Sequence, residues 1–171
     1  MGEPLFVVVN GPPGSGKTTL GEHIASELGL PFLSKDAIKE ALMDECEVPD
    51  VETSRQLGWT AMAALMSHAR DSTAGAVIEA NFERSLARSE LSELKGRMVE
   101  VFCRCPREVC LARYRQRSAH RHPGHFDAER SDEDLWNDET VDPVAGGWRV
   151  IEVDTSEPAN AAGLVKAVRD A

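Results

Sequence analysis

The chain has 171 residues, 42% hydrophobic and 28% charged, which predicts one globular domain over residues 1–171. Its net charge of −10 argues against a general nucleic-acid binder, because such proteins need a basic surface. No apolar run approaches the roughly 20 residues that cross a bilayer, and no secretory signal is visible, so we expect a cytoplasmic protein without membrane contact. The four cysteines form no C-x-x-C pair, which favours reduced thiols over a disulfide or metal site.

The first half of the chain alternates strand patterns with helical ones. The continuous apolar run Leu5–Val9 predicts a strand that is covered on both faces, as in a parallel sheet. A helix is predicted over Lys17–Leu28, and Pro31–Leu33 is predicted to be a short second strand followed by another helix. A longer helix is predicted to begin at Thr53, after the break at Pro49.

The second half continues the alternation of strands and helices. Strands are predicted over Ala76–Ala80, Met98–Cys103 and Arg149–Val153, and helices over Arg84–Leu94, after Pro106, and over Ala161–Val168. Five strands that alternate with helices predict an α/β fold, with a mostly parallel sheet and helices on both faces. Residues 118–147 do not fit this scheme, because they contain few apolar residues and many charges, and they are predicted to form a lid or insert.

The segment after the first strand matches the pattern G-x-x-x-x-G-K-[ST] at every fixed position. Its glycines let the backbone curl around phosphate oxygens, and the helix that follows presents its positive end to the same anion. Lys17 is predicted to reach the β- and γ-phosphates of ATP or GTP, and the hydroxyl of Thr18 to hold Mg²⁺. GTP is disfavoured, because the sequence contains no Asn-Lys-x-Asp. The residues predicted to bind the nucleotide here are Gly11, Pro12, Pro13, Gly14, Ser15, Gly16, Lys17, Thr18 and Thr19.

Polar residues follow the second and third predicted strands, at the edge where an open parallel sheet binds its ligands. Asp36 is a candidate base for an acceptor hydroxyl; the alternative is that it only caps a helix. Lys39 lies three residues further on the same helix face and is predicted to anchor the acceptor or balance charge. Glu79 is a candidate for holding the magnesium ion through water, and an ordinary polar strand end is the alternative. Asn81 and Arg84 are further candidates for contact with the acceptor.

Six arginines lie between residues 104 and 121 of an otherwise acidic chain. Arg113 and Arg117 are four residues apart on one predicted helix, so they share a face and are predicted to stabilise charge on the transferred phosphoryl group. Arg115 is predicted to be solvated, and Arg121 is a second-rank lid candidate. Structural ion pairs are the alternative for the whole cluster. The three histidines of residues 118–147 fit no standard zinc spacing, which favours a solvated loop or lid contacts.

These motifs resemble the small P-loop kinase superfamily over nearly the whole chain. The most similar group contains chloramphenicol 3-O-phosphotransferase, zeta-toxin-like kinases, gluconate kinase and the kinase domain of polynucleotide kinase, and its members are often described only as AAA-family ATP-binding proteins. The resemblance rests on Gly11–Thr18, Asp36 with Lys39, Glu79–Phe82 and the arginine-rich helix. It implies a three-layer P-loop sandwich with strand order 2-3-1-4-5 and Asp36 as the activating base.

The resemblance also implies an adenine pocket, formed partly by the loop at residues 154–158, with Thr155 and Ser156 among its contacts. Two residues depart from the family pattern. Lys39 stands where an arginine is usual, and Glu79 stands where an aspartate is usual.

The sequence therefore predicts an ATP- and Mg²⁺-dependent phosphotransferase that acts on a hydroxyl of a small molecule, such as an antibiotic, a sugar or a nucleoside. Two alternatives stay open: a kinase for the 5′-hydroxyl end of nucleic acid, which would need a basic path to Asp36, and a regulatory nucleotide switch without an acceptor. The helix that carries Trp59, Met62 and Met66 is predicted either to wall the acceptor pocket or to pack in the core. The sequence does not indicate the oligomeric state.

Overall fold

The computed structural model describes residues 2–157 and 161–171. The strands are β1 (Leu5–Asn10), β2 (Phe32–Ser34), β3 (Gly75–Glu79), β4 (Arg97–Arg104) and β5 (Arg149–Asp154). They form one sheet in the order β2-β3-β1-β4-β5, in which every neighbouring pair is parallel. The predicted α/β fold class and its strand order are confirmed.

The connections between strands are helical. The α-helices are α1 (Lys17–Leu28), α2 (Lys35–Glu45), α3 (Val51–Asp71), α4 (Arg84–Ser92), α5 (Arg107–Ser118), α6 (Asp132–Leu135) and α7 (Ala161–Arg169). None of the helices in the described part of the chain is both long and apolar enough to cross a bilayer.

The side chains of β1 divide the core between the two faces of the sheet, because successive residues of a strand point to opposite sides. Phe6 and Val8 pack with residues of α3 and α4 on one face. Val7 and Val9 pack with residues of α1 and α7 on the other. The central strand is therefore held from both sides, and this packing fixes the position of the loop that follows it.

Helix α3 begins at Val51, two residues before the predicted start at Thr53. The carboxylate of Asp50 accepts the backbone N–H of Thr53 at 2.8 Å and so caps the helix. The predicted start is two residues late, because Asp50, which directly follows the break at Pro49, caps the helix.

Residues 118–147 are folded onto the domain although they contain few apolar residues. They include the 3₁₀ helices Pro123–His125 and Asp127–Glu129 as well as α6. Leu135 and Val144 are at most 1% exposed, so this segment adds two apolar side chains to the buried interior, and His125, Asp127 and Thr140 are buried as well. Its role as a lid stays a prediction.

Candidate active site

The phosphate-binding loop connects β1 to α1 at residues 11–16. Gly14 has a φ of 82°, and a Cβ at this position would lie 2.2 Å from the carbonyl oxygen of Cys110 in α5. Only glycine fits such a close approach, so the loop and α5 pack directly against each other.

Burial raises the pKa of the Cys103 and Cys110 thiols to about 12, which keeps both neutral.

Lys17 is a buried cation in the first turn of α1, with 6% of its surface exposed. Its Nζ donates to the carbonyl oxygen of Pro12 at 2.9 Å. Burial lowers the pKa of Lys17, while the nearby carboxylates Glu79 and Asp36 act in the opposite direction. The buried hydroxyl of Ser15 has no hydrogen-bond partner among the described residues. A buried ammonium, an unsatisfied hydroxyl and the N-terminus of a helix fit the phosphates of a nucleotide.

A cavity of about 70 Å³ adjoins this loop. Residues from the loop, α1, α2, α5 and the end of β3 meet around it. The lining residues are Gly14, Gly16, Lys17, Thr18, Thr19, Asp36, Glu79, Asn81 and Arg117. The structure therefore brings together, at the carboxyl edge of the sheet, the predicted phosphate-binding lysine, the predicted base and both predicted metal ligands.

Glu79 ends β3 as a buried carboxylate that accepts a hydrogen bond from Oγ of Ser34 at 2.8 Å. Burial raises the pKa of Glu79, and the positive charge of Lys17 opposes that shift. Thr18 lines the same cavity. Hydroxyl and carboxylate oxygens are ligand types that Mg²⁺ prefers, so these two side chains fit the predicted ion. Their metal role stays a prediction.

Asp36 lies in the first turn of α2 and pairs with Arg121 of the predicted lid. Nη2 of Arg121 donates to Oδ2 of Asp36 at 2.7 Å. Burial by itself would raise the pKa of Asp36, but the charges of Arg121, Lys35 and other nearby cations hold it below its usual value. Asp36 is therefore ionised at neutral pH. The helix cap is instead Ser34, whose hydroxyl accepts the N–H of Ala37.

Arg121 is itself held by a buried network in the lid segment. Its Nη1 donates to both carboxylate oxygens of Asp127, at 2.9 and 3.1 Å, and the hydroxyl of Tyr114 also donates to Asp127. Nε2 of His125 lies 2.8 Å from Oε1 of Glu40, and both burial and the charge of Arg121 lower the pKa of His125. Asp127 thus fixes one side of the guanidinium while the other side faces Asp36.

The three lid histidines have different surroundings. His125 is buried in the network around Arg121, whereas His120 is exposed. Nδ1 of His122 accepts the backbone N–H of Gly124 at 3.0 Å. Within residues 2–157 and 161–171, no three His, Cys, Asp or Glu side chains are arranged to hold a metal ion.

Arg113 and Arg117 both lie on α5, but only Arg117 lines the small cavity beside the phosphate loop. Arg113 instead donates to the carbonyl oxygens of Thr155 and Ser156, both at 2.7 Å. Residues four apart are displaced about 6 Å along a helix, so one side chain reaches the phosphate loop and the other the loop after β5. The prediction that both lie at the phosphoryl group is corrected in this respect.

The loop after β5 is braced by Arg113 and remains the predicted adenine contact through Thr155 and Ser156; Pro158 of that prediction lies outside the described residues. Arg115 is exposed, as predicted, and it also donates to the carboxylate of Asp132 at 2.7 Å. This ion pair links α5 to α6.

A second cavity, of about 540 Å³, lies between α2, α3, α4 and the lid segment. Asn81 lines both this cavity and the small one. Trp59 and Met62 line the larger cavity, while Met66 of the same helix is buried in the core. Helix α3 therefore lines this cavity at one position and packs in the core at another; that the cavity receives the acceptor stays a prediction.

Lys39 and Arg84 were both predicted to contact the acceptor. Lys39 lines the larger cavity, and its Nζ donates to Oγ of Ser54 at 2.8 Å. Arg84 is not among the residues that line either cavity and lies 3.7 Å from the carboxylate of Asp142. Lys39 therefore lies at the larger cavity, where its contact with an acceptor stays a prediction, and Arg84 lies in a surface ion pair.

We expect Lys39 to titrate well below the ordinary value for a lysine. Burial lowers its pKa from 10.5 to about 8, and the adjacent charge of Lys35 adds to the shift. Between these two pH values Lys39 is protonated in the unfolded chain and neutral in the folded one, so the contribution of Lys39 to the free energy of unfolding should rise with pH in that window. The ¹³Cε shift of Lys39 in ¹³C-lysine-labelled protein, assigned by its loss in Lys39→Met, measures the pKa. A midpoint for Lys39 close to 10.5 would contradict the prediction.

Two buried polar residues that the sequence analysis missed support the site. Oδ1 of Asn10 accepts the backbone N–H groups of Gly11 at 2.7 Å and of Phe82 at 3.2 Å, which ties the phosphate loop to the segment after β3.

Nδ2 of Asn10 donates to the buried carboxylate of Glu100 at 3.1 Å. Glu100 also accepts hydrogen bonds from Val144 N, Ala145 N and Trp148 Nε1. One carboxylate thus connects the phosphate loop with the end of the predicted lid.

Curated relatives match the chain over a short stretch. A cytidylate kinase from Ignicoccus hospitalis is 48% identical over 46 residues, which is 27% of this chain and 27% of that protein. The matched stretch therefore spans about a quarter of that relative's length.

Solved structures match over nearly the whole chain. A protein from Chloroflexus aurantiacus J-10-fl, provisionally described as a kinase, has a TM-score of 0.88 and 31% identity, with 99% of this chain and 98% of that chain covered. A gluconokinase from Sinorhizobium meliloti 1021 has a TM-score of 0.61 and 25% identity, with 98% and 91% covered. Residues 6–138 match the family described as the AAA domain. The phosphate loop, the strand order and these matches agree that the chain belongs to the AAA domain family and to the small P-loop kinase superfamily.

Proposed function

We propose that the protein transfers the γ-phosphoryl group of ATP to a hydroxyl of a small molecule, with Mg²⁺ as the metal ion and Asp36 as the base. The observation that carries this proposal is the shared wall of the two cavities. Asn81 lines both the phosphate-side cavity, which contains Asp36 and Lys17, and the cavity of about 540 Å³ beside it. A site for phosphates therefore adjoins a site large enough for a small acceptor.

The residues of the phosphate loop would hold the nucleotide. Bound MgATP supplies the phosphoryl group, and its metal ion neutralises part of the negative charge on the phosphates. Lys17 adds a buried positive charge to the same anion, and Arg117 lines the cavity from the side of α5. Thr18 and Glu79 are the side chains that would hold the metal ion, directly or through water.

Asp36 would accept the proton of the acceptor hydroxyl. Arg121 binds only Oδ2 of Asp36, and no described side chain donates to Oδ1. The low pKa of Asp36 keeps the carboxylate ionised, and Arg121 fixes its orientation. Proximity and orientation of this kind are the main contributions that a protein makes to phosphoryl transfer. The similarity to a gluconokinase supports a small-molecule acceptor.

The proposal is tested by screening purified protein with ATP and MgCl₂ against hydroxyl-bearing metabolites and antibiotics. ADP release is followed by a coupled assay, and mass spectrometry identifies any compound that gains a phosphoryl group. We expect at least one compound to stimulate ADP release above the rate with water alone, and EDTA to abolish the stimulation. Stimulation by a protein partner alone would indicate a regulatory switch, and transfer only to a 5′-hydroxyl oligonucleotide would indicate a polynucleotide kinase; either outcome contradicts the proposal.

A further inference from the structure

The larger cavity has an apolar wall that faces solvent. Trp59 of α3 and Leu86 of α4 are 68% and 63% exposed, and both line this cavity together with Met62 and Phe82. Large apolar side chains that stay exposed in the lining of one concave site are typical of a ligand-binding surface. The indole of a tryptophan offers a flat apolar surface on which a ring of the ligand can pack.

The end of the cavity between α2 and α3 is positively charged. Gly58 of α3 has no side chain, and a methyl group at this position would lie 3.7 Å from Nζ of Lys35 and 3.9 Å from Nζ of Lys39. Two ammonium groups therefore converge on the space that this glycine leaves open. Their mutual repulsion is consistent with the low pKa of Lys39. An anion placed there would offset the repulsion.

The protein places no carboxylate in direct ion-pair contact with either of these lysines, although Asp36 of the same helix acts on both at longer range. Four acidic residues line the same cavity, but they belong to α4 and its preceding loop or to the lid segment. Among the described residues, neither Lys35 nor Lys39 has a carboxylate within 4.0 Å. By contrast, six arginines elsewhere in this acidic chain have such a partner: Arg70, Arg84, Arg104, Arg107, Arg115 and Arg121.

We propose that the acceptor carries an anionic oxygen group, a carboxylate or a phosphate, which binds over Gly58 between Lys35 and Lys39, and a ring-sized apolar group, which packs on Trp59 and Met62. This inference rests on the proposed function, because it describes the molecule that the larger cavity receives. It narrows the acceptor to small amphiphilic anions and disfavours neutral sugars and neutral antibiotics.

Matched pairs of compounds test the charge requirement. One arm compares aromatic hydroxy acids with their neutral amides, and a second compares nucleoside monophosphates with the corresponding nucleosides. Binding is measured by isothermal titration calorimetry with MgADP present, so the readout does not depend on phosphoryl transfer. We expect the charged member of at least one pair to bind about tenfold more tightly than its neutral partner, a ratio typical of a charge-assisted contact. The arm that shows this preference identifies the anion as a carboxylate or a phosphate.

Two variants locate the effect. Lys35→Gln removes one charge, and Gly58→Ala keeps every charge but places a methyl group in the anion space at ordinary contact distances. Both should reduce the preference for the charged member to less than about threefold. In Lys35→Gln the anion loses one charged partner, and in Gly58→Ala the added methyl group occupies the space that the anion would fill. Gly58→Ala should also raise thermal stability, because alanine is favoured over glycine within a helix. Lys95→Gln, at an exposed site on the α4–β4 connection, is the control and should leave the preference unchanged.

Three outcomes overturn the inference: no charge preference in either arm, an unchanged preference in both variants, or efficient phosphorylation of neutral compounds only. Charge-dependent binding of compounds that are never phosphorylated would contradict the proposed function, and it would leave only the anion site over Gly58 standing. Should Lys35→Gln fail to fold, Gly58→Ala still decides the matter.

Discussion

The variant Asp36→Asn should lower kcat for phosphoryl transfer by about 10²- to 10⁴-fold, the range that a positioned general base contributes. The amide has the same shape as the carboxylate, and its oxygen can still accept the hydrogen bond that Arg121 donates at 2.7 Å. It cannot accept the proton of an alcohol at neutral pH. The expected loss therefore falls on the chemical step and not on folding or on nucleotide binding.

The dissociation constant for ATP distinguishes a loss in the chemical step from a loss in nucleotide binding. It should change by less than about threefold in Asp36→Asn if the residue acts only on the acceptor. Glu45→Gln removes one negative charge from an exposed position at the other end of α2 and is the matched control, with wild-type kcat expected. If Asp36→Asn transfers phosphate as fast as the wild type, Asp36 has no part in proton transfer.

The phosphate loop could be predicted from the sequence because its ligands are contiguous. Gly11–Thr18 carries the turn, the backbone donors and the lysine within one short segment, and the strand before it and the helix after it are visible in the hydrophobic pattern. The strand order came from the resemblance to a family and is confirmed by the sheet. The phosphate-loop motif, by contrast, is local, so its prediction did not depend on knowing which distant segments meet.

The contacts that complete the site join residues far apart in the chain, and no local pattern reveals such pairs. Arg121 and Asp36 are separated by 85 residues, and Asn10 and Glu100 by 90. Arg121 was therefore ranked below Arg113, although Arg121 is the arginine that pairs with the predicted base. Helical spacing predicted which residues share a face of α5, but it could not show which element faces each turn of that helix.

The most diagnostic expectation for nucleotide binding is that Lys17→Met weakens ATP binding without weakening the fold. The dissociation constant for ATP should rise at least tenfold, and kcat should fall by about 10²- to 10³-fold, as when one preorganised donor to a developing charge is removed. Isothermal titration calorimetry with MgATP and the coupled ADP assay measure the two effects. Lys166→Met, at an exposed position of α7, is the control and should change neither.

The thermal stability of Lys17→Met should rise or stay unchanged, although its ATP binding and its kcat should fall. Folding lowers the pKa of Lys17, because burial disfavours its charged form. The protonated form of Lys17 therefore carries a cost in the folded state, and this cost is relieved as the pH rises past the folded pKa. Methionine fills a similar volume without a charge, so the melting temperature of Lys17→Met without nucleotide should equal or exceed that of the wild type.

A residue that lowers stability while it is required for ligand binding is retained for function, not for folding. The hydrogen bond from Nζ to the carbonyl of Pro12 offers Lys17 one neutral acceptor, whereas a polyphosphate offers it a full negative charge in a buried site. The two measurements together therefore separate a phosphate-binding lysine from a structural one. Unchanged ATP affinity in Lys17→Met, or a loss of binding that accompanies a large fall in melting temperature, would contradict the assignment of this loop as the nucleotide site.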